Sequence, residues 1–323
     1  MAEWFGGAIM ASYYNENTIV WINGAFVKAT EAKMDFYSQS LHYGYSVFEG
    51  IRSYRTELGE TKIFKAIEHF DRLQRSALAL NMPYHWTSDE LINATYETLK
   101  KNYLQDAYIR PVVYAPANMS FVQNDESFII IEVWKMQPFL GEKLLKVATS
   151  SFQRPNPKAF KIEAKATGHY VNSILASQEA KANGFDEALL LDMNGFVAEA
   201  PGANAFYEKD GKLVTPSAGN ILPGITRATV LEICAEWEIP VIEKLFTVDE
   251  LKQADAAFFC GTAAEVIGWE SLDDLKFPKP WNETVSKRIQ EAYINKVKEN
   301  KVPANPLERR EYQPGTPKVQ ETA

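Results

Sequence analysis

The 323-residue chain is poor in the features that mark several large classes of protein. It has only two cysteines, Cys234 in an apolar helical pattern and Cys260 after a strand-like run, which make neither a disulfide framework nor a zinc site. Its four histidines (His42, His69, His85, His169) lack metal-ligand spacing, so no metal is expected. No run of eighteen apolar residues occurs, which excludes a helical membrane span. Basic residues are in deficit, with 34 Lys and Arg against 42 Asp and Glu for a formal charge of −8. No Lys/Arg cluster lies between recognisable elements, so nucleic acid is not an expected partner. The first fifteen residues carry no basic segment ahead of their apolar stretch and do not read as a secretory signal. These absences leave a cytoplasmic enzyme as the expectation.

What is present is the make-up of a soluble globular protein, 46% hydrophobic and 24% charged, long enough for two domains. The first half reads as β-rich with two helices. Asn23-Gly24 is a strong hairpin signal within Thr18–Phe26, and strands are expected at Ser46–Tyr54, Lys62–Lys65, Ala107–Tyr114 and Phe128–Trp134. Helices are expected at Glu68–Leu80, ended by Asn81-Met82-Pro83, and at Ser88–Tyr103, whose Asp89-Glu90 suit a helix start. The composition breaks at Gln137-Pro138-Phe139-Leu140-Gly141. The expected organisation is an extension at 1–16, a small domain at 17–136, a linker at 137–143, a large domain at 144–300 and a disordered tail at 301–323. In the second half, strands are expected at Leu145–Thr149, Ala188–Asp192, Phe196–Ala200, Asn204–Tyr207, Lys212–Thr215 and Ala256–Cys260. Helices are expected at Tyr170–Asn183, with Val171, Ile174 and Leu175 on one face, at Thr226–Glu236 and near Asn282–Glu299. The fold class is α+β.

Four segments could carry chemistry. Lys165, at a helix entry away from any charge run, reads either as a solvated lysine or as a reactive amine. Glu199 stands among Ala198, Ala200, Pro201 and Gly202, where a carboxylate can approach a ligand or simply face solvent. Leu222-Pro-Gly-Ile-Thr-Arg227 opens an amphipathic helix whose free N–H groups can hold a phosphate, or need only capping. Gly261-Thr-Ala-Ala-Glu265 follows an apolar strand and is either an anion-binding turn or a plain one. The residues by themselves reach a small-molecule enzyme with a phosphate site.

Taken together, LHYGYSVFEGIRSY, AYIRP, KATGHY, EALLLDMNGFVAE, LPGITR and FFCGTAAE occur in the order found in fold-type IV pyridoxal-phosphate enzymes. Over residues 17 to 298 the chain resembles the branched-chain amino-acid aminotransferases. The resemblance implies a smaller N-terminal sandwich-like domain and a larger β-barrel-like domain with surrounding helices. It implies that Lys165 carries pyridoxal 5′-phosphate and moves the proton, that Glu199 bonds the ring nitrogen, and that Tyr170 contacts the ring's 3-oxygen. Arg72 and the backbone N–H groups of Ile225 and Thr226 would hold the phosphate, with Leu222, Gly224 and Thr262 also binding the cofactor. The amides of Thr262 and Ala263 would hold a substrate carboxylate.

Tyr43, Phe48, Gly50, Arg52, Tyr108 and Arg110 match the positions that mark branched-chain enzymes. Tyr43, Phe48 and Tyr108 would line an apolar pocket, and Arg110 would take the distal carboxylate of glutamate. Met136 and Phe139 stand near positions where many relatives carry Trp and Tyr. His169 replaces a usual Asn, and Ala203 a usual Glu. The implied activity is ping-pong transamination of Leu, Ile and Val with 2-oxoglutarate. The alternatives are a D-amino-acid or (R)-amine transaminase, or an aminodeoxychorismate lyase of the same fold. The implied partners are amino acids, 2-oxo acids and a second copy of the chain, in a homodimer or higher homo-oligomer, with the loop Asn118–Asp125 covering the neighbouring site.

Overall fold

The computed structural model describes residues 13–136, 140 and 143–299. Residues 13–136 supply β1 (Ile19–Ile22), β2 (Ala25–Lys28), α1 (Gln39–Tyr43), β3 (Ser46–Phe48), β4 (Ile51–Arg55), β5 (Thr61–Ile63), α2 (Ala66–Ala79), α3 (Ser88–Lys101), β6 (Ala107–Tyr114) and β7 (Phe128–Lys135). They form a seven-stranded sheet in the order β2-β1-β7-β6-β4-β5, with β3 also paired to β6. The β1–β2 hairpin turns at Asn23 and Gly24, both at positive φ, as a two-residue turn between twisted strands requires. The alternation along β6 decides what each face does. Ala107, Ile109 and Val113 join Phe70 and Leu73 of α2 and Leu91 and Ile92 of α3 in one core, leaving Tyr108 and Arg110 on the opposite face. Register places Trp134 of β7 opposite Tyr108, and Glu132 opposite Arg110. The strand expected across Ser46–Tyr54 divides in two, because Glu49 turns aside to donate its N–H to the Pro111 carbonyl (2.9 Å).

The later residues supply β8 (Leu145–Gln153), α4 (Tyr170–Ala182), β9 (Glu187–Leu191), β10 (Val197–Glu199), β11 (Asn204–Lys209), β12 (Lys212–Thr215), α5 (Ile225–Glu236), β13 (Val241–Glu243), α6 (Val248–Leu251), β14 (Ala256–Gly261), β15 (Glu265–Leu272), β16 (Leu275–Lys276) and α7 (Val285–Lys298). The path runs β10-β9-β8-β15-β14-β11, and β11 pairs back onto β10 through Glu199 and Asn204, closing a ring of six strands. A closed sheet has no edges left to cover within the ring. Leu145, Val147, Leu189, Ala205, Phe259 and Trp269 fill part of its core. This is the α+β fold that the sequence implies, with a sheet-and-helix sandwich first and a barrel-like sheet second. The expected linker lies almost entirely outside the described residues, as does the tail from residue 300 onward. No helix among the described residues is long and apolar enough to cross a membrane.

Val171, Ile174 and Leu175 share a face of α4, as expected, and that face is turned to solvent. The helix packs instead through Ser173, Ala176 and Ala180, and Ala176 and Ala180 join Ala188 and Leu190 of β9 in one cluster. Small side chains allow the helix to lie close to the sheet, and periodicity alone does not say which stripe will be used. The strand β15 and the short helix α1 were not expected. Gly268 interrupts the β15 pattern where Trp281 lies against the backbone, and a Cβ there would come within 2.7 Å of that ring.

Candidate active site

Two hollows meet between the sheets. The inner one is lined by Arg72, Lys165, Tyr170, Glu199, Leu222, Gly224, Ile225, Thr226 and Thr262, all of them anticipated, together with Gly50, Tyr108, Arg154, His169, Asn204, Ala263 and several backbone segments. The outer one is lined by Phe48, Tyr108, Arg110, Trp134, Met136 and residues of α4, among others. Lys165, Tyr170, Tyr108 and Ala263 border both.

Lys165 sits in the segment between β8 and α4, where its neighbour Ala166 bridges to Val47 of β3, and its backbone is clamped on both sides. Its N–H donates to Ser76 Oγ (3.0 Å), and its carbonyl accepts from Phe48 N (3.0 Å). The side chain runs into the junction of the hollows, where Nζ donates to Tyr170 Oη (2.8 Å) and lies 5.1 Å from the Phe48 ring centroid.

Glu199 ends β10 at the pair that closes the barrel. It is buried, and its Oε1 accepts from Leu222 N (3.1 Å) and its Oε2 from Asn204 Nδ2 (3.0 Å). Arg154 Nε lies 2.9 Å from Oε1. Burial lifts this carboxyl above the ordinary range, and the charge of Arg154, the Leu222 amide and the charges of Lys165 and Arg72 oppose that rise.

At the other end of the inner hollow, α5 begins at Ile225 with Gly224 as its cap residue, which offers no side-chain hydrogen bond. The first-turn amides are therefore free for an anion. Gly224 is required there, since a Cβ would fall 1.9 Å from Asn204 Oδ1. Arg72 stands beside this turn. It donates from Nη1 to the Pro223 carbonyl (2.8 Å), and from Nε and Nη2 to the two oxygens of Glu49 (2.6 and 3.0 Å). Glu49 also accepts from His69 Nδ1 (2.7 Å) and from Gly50 N (3.1 Å). The charges of Arg72 and His69 hold Glu49 far below the usual carboxylate range despite its burial. Arg72 has five donors and spends three on these partners, which leaves one on each terminal nitrogen. An uncapped helix start beside a buried arginine with donors to spare is a fitting cradle for a phosphate. Lys165 and Glu199, a primary amine and a buried carboxylate, border the same hollow and are the groups that would meet the aldehyde and the ring nitrogen of a pyridoxal.

In the outer hollow, Arg110 lies over the Phe48 ring (4.5 Å to the centroid) and donates from Nη2 to Tyr108 Oη (3.1 Å), while its buried Nε has no hydrogen-bond partner. Tyr108 is pressed against Gly50, where a Cβ would meet its hydroxyl at 2.0 Å. Trp134 lies tilted against Tyr108, ring centroids 5.0 Å apart, and supplies an aromatic wall.

Two anticipated substrate contacts, Arg52 and Tyr43, stand elsewhere. Arg52 does not border either hollow: its Nη1 pairs with Glu265 at 2.8 Å, and Tyr54 Oη reaches the same carboxylate at 3.0 Å. It thereby fastens the Gly261–Glu265 turn from behind, because a buried guanidinium needs an acid and Glu265 is the one in reach. Tyr43 is 43% exposed, bonded to the Met119 carbonyl and packed on Phe121, away from the hollows of its own chain. Phe139 lies outside the described residues. Sequence reasoning did not single out Arg154, Asn204, Glu49 or Trp134. Only Glu49 carried a signal, as an acid within the FEG turn of the LHYGYSVFEGIRSY segment. Among the described residues no cluster of three His, Cys, Asp or Glu side chains is placed to hold a metal.

The amino-transferase class IV family profile matches residues 46–272. The chain belongs to the class IV aminotransferases. It is 40% identical over 292 residues to the branched-chain-amino-acid aminotransferase of Pseudomonas aeruginosa, covering 88% of this chain and 95% of that one. Among solved structures, it superposes with a TM-score of 0.84 on the branched-chain aminotransferase of the thermophilic archaeon Thermoproteus uzoniensis with norvaline. That match is at 37% identity and covers 88% of this chain and 96% of that one. The branched-chain amino acid aminotransferase of Thermobaculum terrenum, solved in its PLP-bound holo form, gives a TM-score of 0.80 at 33% identity, covering 88% and 95%. A class IV aminotransferase uses pyridoxal phosphate, and the inner hollow of this one has the donor set to hold it.

Proposed function

We propose that this aminotransferase moves the amino group of an L-branched-chain amino acid to 2-oxoglutarate in two half-reactions, in the cytoplasm. The carrying observation is that Lys165 borders both a polar, phosphate-ready cavity and an aromatic hollow containing Arg110. Pyridoxal phosphate supplies the electron sink that makes the substrate's Cα–H bond acidic. Lys165 Nζ, held by Tyr170 Oη, takes and returns that proton. Arg72 and the amides of Ile225 and Thr226 hold the phosphate, and Glu199 holds the ring nitrogen. The turn at Thr262 and Ala263, braced by Arg52 and Glu265, presents amides to the substrate's α-carboxylate. Phe48, Tyr108 and Trp134 offer apolar wall to a leucine side chain, while the unspent Nε of Arg110 and its planar fork suit the distal carboxylate of glutamate.

The outer hollow, about 1370 Å³, exceeds the roughly 300–1,000 Å³ of an ordinary small-molecule site. Tyr43, Met119 and Phe121 form an exposed apolar patch on the same chain, Phe121 being 90% exposed. A second copy laying this patch over the hollow would narrow it, and a homodimer is part of the proposal. Sedimentation of the purified protein checks it, a monomer at micromolar concentration being the adverse result.

Arg110→Met tests the dual-substrate assignment. A hydrogen bond to a charged group is worth about 1.5–3 kcal/mol, so efficiency with glutamate should fall about ten- to a hundredfold. The leucine half-reaction should change only a few-fold. Equal losses would make Arg110 structural. Turnover of D-leucine or a chiral amine above L-leucine in the same single-turnover assay would assign the enzyme to another branch of the family.

A further inference from the structure

The contact between Arg154 and Glu199 has no part in the chemistry assigned so far. Arg154 follows β8, and its own N–H donates to the Leu191 carbonyl (2.8 Å), which fixes the residue at the base of the barrel. Both side chains are buried and both border the inner hollow. Nε lies 2.9 Å from Oε1, yet its N–H is not aligned on any acceptor and has no hydrogen-bond partner. The contact is therefore one of charge, while the aligned hydrogen bonds to the carboxylate come from Leu222 N and Asn204 Nδ2. A carboxylate has about four lone-pair sites, so two remain for other donors.

We propose that Arg154 is a positioning residue for transamination, whose charge keeps the buried Glu199 carboxylate ionised so that it can hold the protonated ring nitrogen of pyridoxal phosphate. This rests on the cofactor assignment above. Burial favours the neutral acid, and Arg154 is the strongest of the influences opposing it. The other cations facing Glu199, Lys165 and Arg72, are committed to Tyr170 and to Glu49. His169 lies near Arg154, with Glu163 beyond it, and burial together with the Arg154 charge keeps its imidazole below the ordinary range, so it adds no second cation. A neutral Glu199 would present no charge to a pyridinium and would leave it without a counter-ion in a dry site.

The test is cofactor uptake by apoenzyme, followed by tryptophan fluorescence from about pH 6 to about pH 9, a range above ordinary carboxylate pKa values. Wild type, Arg154→Met, Arg154→Lys and Glu199→Gln are titrated with pyridoxal phosphate, and each apoenzyme is melted at the same pH values. The dissociation constant of Arg154→Met relative to wild type should rise as pH falls, reaching about ten- to a hundredfold at the acid end. Arg154→Lys, which keeps the charge, should restore a ratio flat in pH. Arg154→Gln reads the same quantity should Arg154→Met not fold. A ratio flat in pH for the Met or Gln variant, or failure of lysine to restore flatness, would overturn the proposal while leaving the cofactor assignment standing. A wild type that takes up no pyridoxal phosphate, or a Glu199→Gln variant that binds it as wild type does, would remove that assignment and the proposal with it.

Discussion

Glu49→Gln takes one charge out of a fully enclosed ion pair and leaves its shape almost intact. The native carboxylate accepts two hydrogen bonds from Arg72, one from His69 and one from Gly50 N. Glutamine offers one acceptor oxygen and turns an amide N–H₂ toward a guanidinium that is itself all donor. Arg72 then stands buried and uncompensated, for which removal of one partner typically costs about 3–5 kcal/mol. Equilibrium urea unfolding should register a loss of that size. The double variant Glu49→Gln/Arg72→Met should lose less than the sum of the single variants, because the stranded charge is gone. The sign of the pH dependence follows from the direction of the Glu49 shift. Its folded-state pKa is depressed, so its contribution is fully present above the unfolded carboxylate value and is lost only as pH falls well below it. Wild type should therefore hold this contribution through neutral and mildly acid solution, and the gap between wild type and Glu49→Gln should narrow only at strongly acid pH. A loss under about 1 kcal/mol, the size of an exposed pair, or a gap that widens with acid, would refute the reasoning.

Two further outcomes are expected at the cofactor cradle. Borohydride reduction of the purified yellow protein should fix the cofactor on the peptide carrying Lys165, and peptide mapping that finds it on Lys161, or finds none, would remove Lys165 from its role. Gly224→Ala sets a Cβ against Asn204 Oδ1, whose side chain is pinned to Glu199 and to the Leu222 carbonyl. Overpacking of this kind costs about 1–3 kcal/mol, and calorimetry together with cofactor titration should show lower affinity for pyridoxal phosphate in a chain that still folds.

The elements of the fold could be read from periodicity and turn signals, and the cofactor cradle from motifs. Asn23-Gly24 declares its hairpin locally, and the Leu222–Arg227 segment declares a helix start. Lys165 and Glu199 could be named because the six motifs keep a recognisable order. What the sequence did not disclose is how distant residues pair. Arg154 and Glu199 are 45 positions apart, and Arg52 and Glu265 are 213 apart, so nothing near either arginine signals which one faces a ligand and which one braces a turn. Val171, Ile174 and Leu175 have helical spacing, but spacing fixes only that they share a face, and the sheet chose the small side chains of the other face. Tyr43 matches the family pattern by position, yet its own chain holds it outward, where the proposed homodimer would give it a role.

The six-strand ring closes through a single pair, Glu199 with Asn204, and on the proposed reading the same two residues would set the ring-nitrogen end of the cofactor cradle. Closure and cofactor affinity would then be linked. A molecule that binds only the closed ring draws the population toward it, and each tenfold excess of free cofactor over its dissociation constant adds about 1.4 kcal/mol to the closed form. Supply of pyridoxal phosphate would thus govern how much of the chain survives heat or protease, as well as how much of it is active.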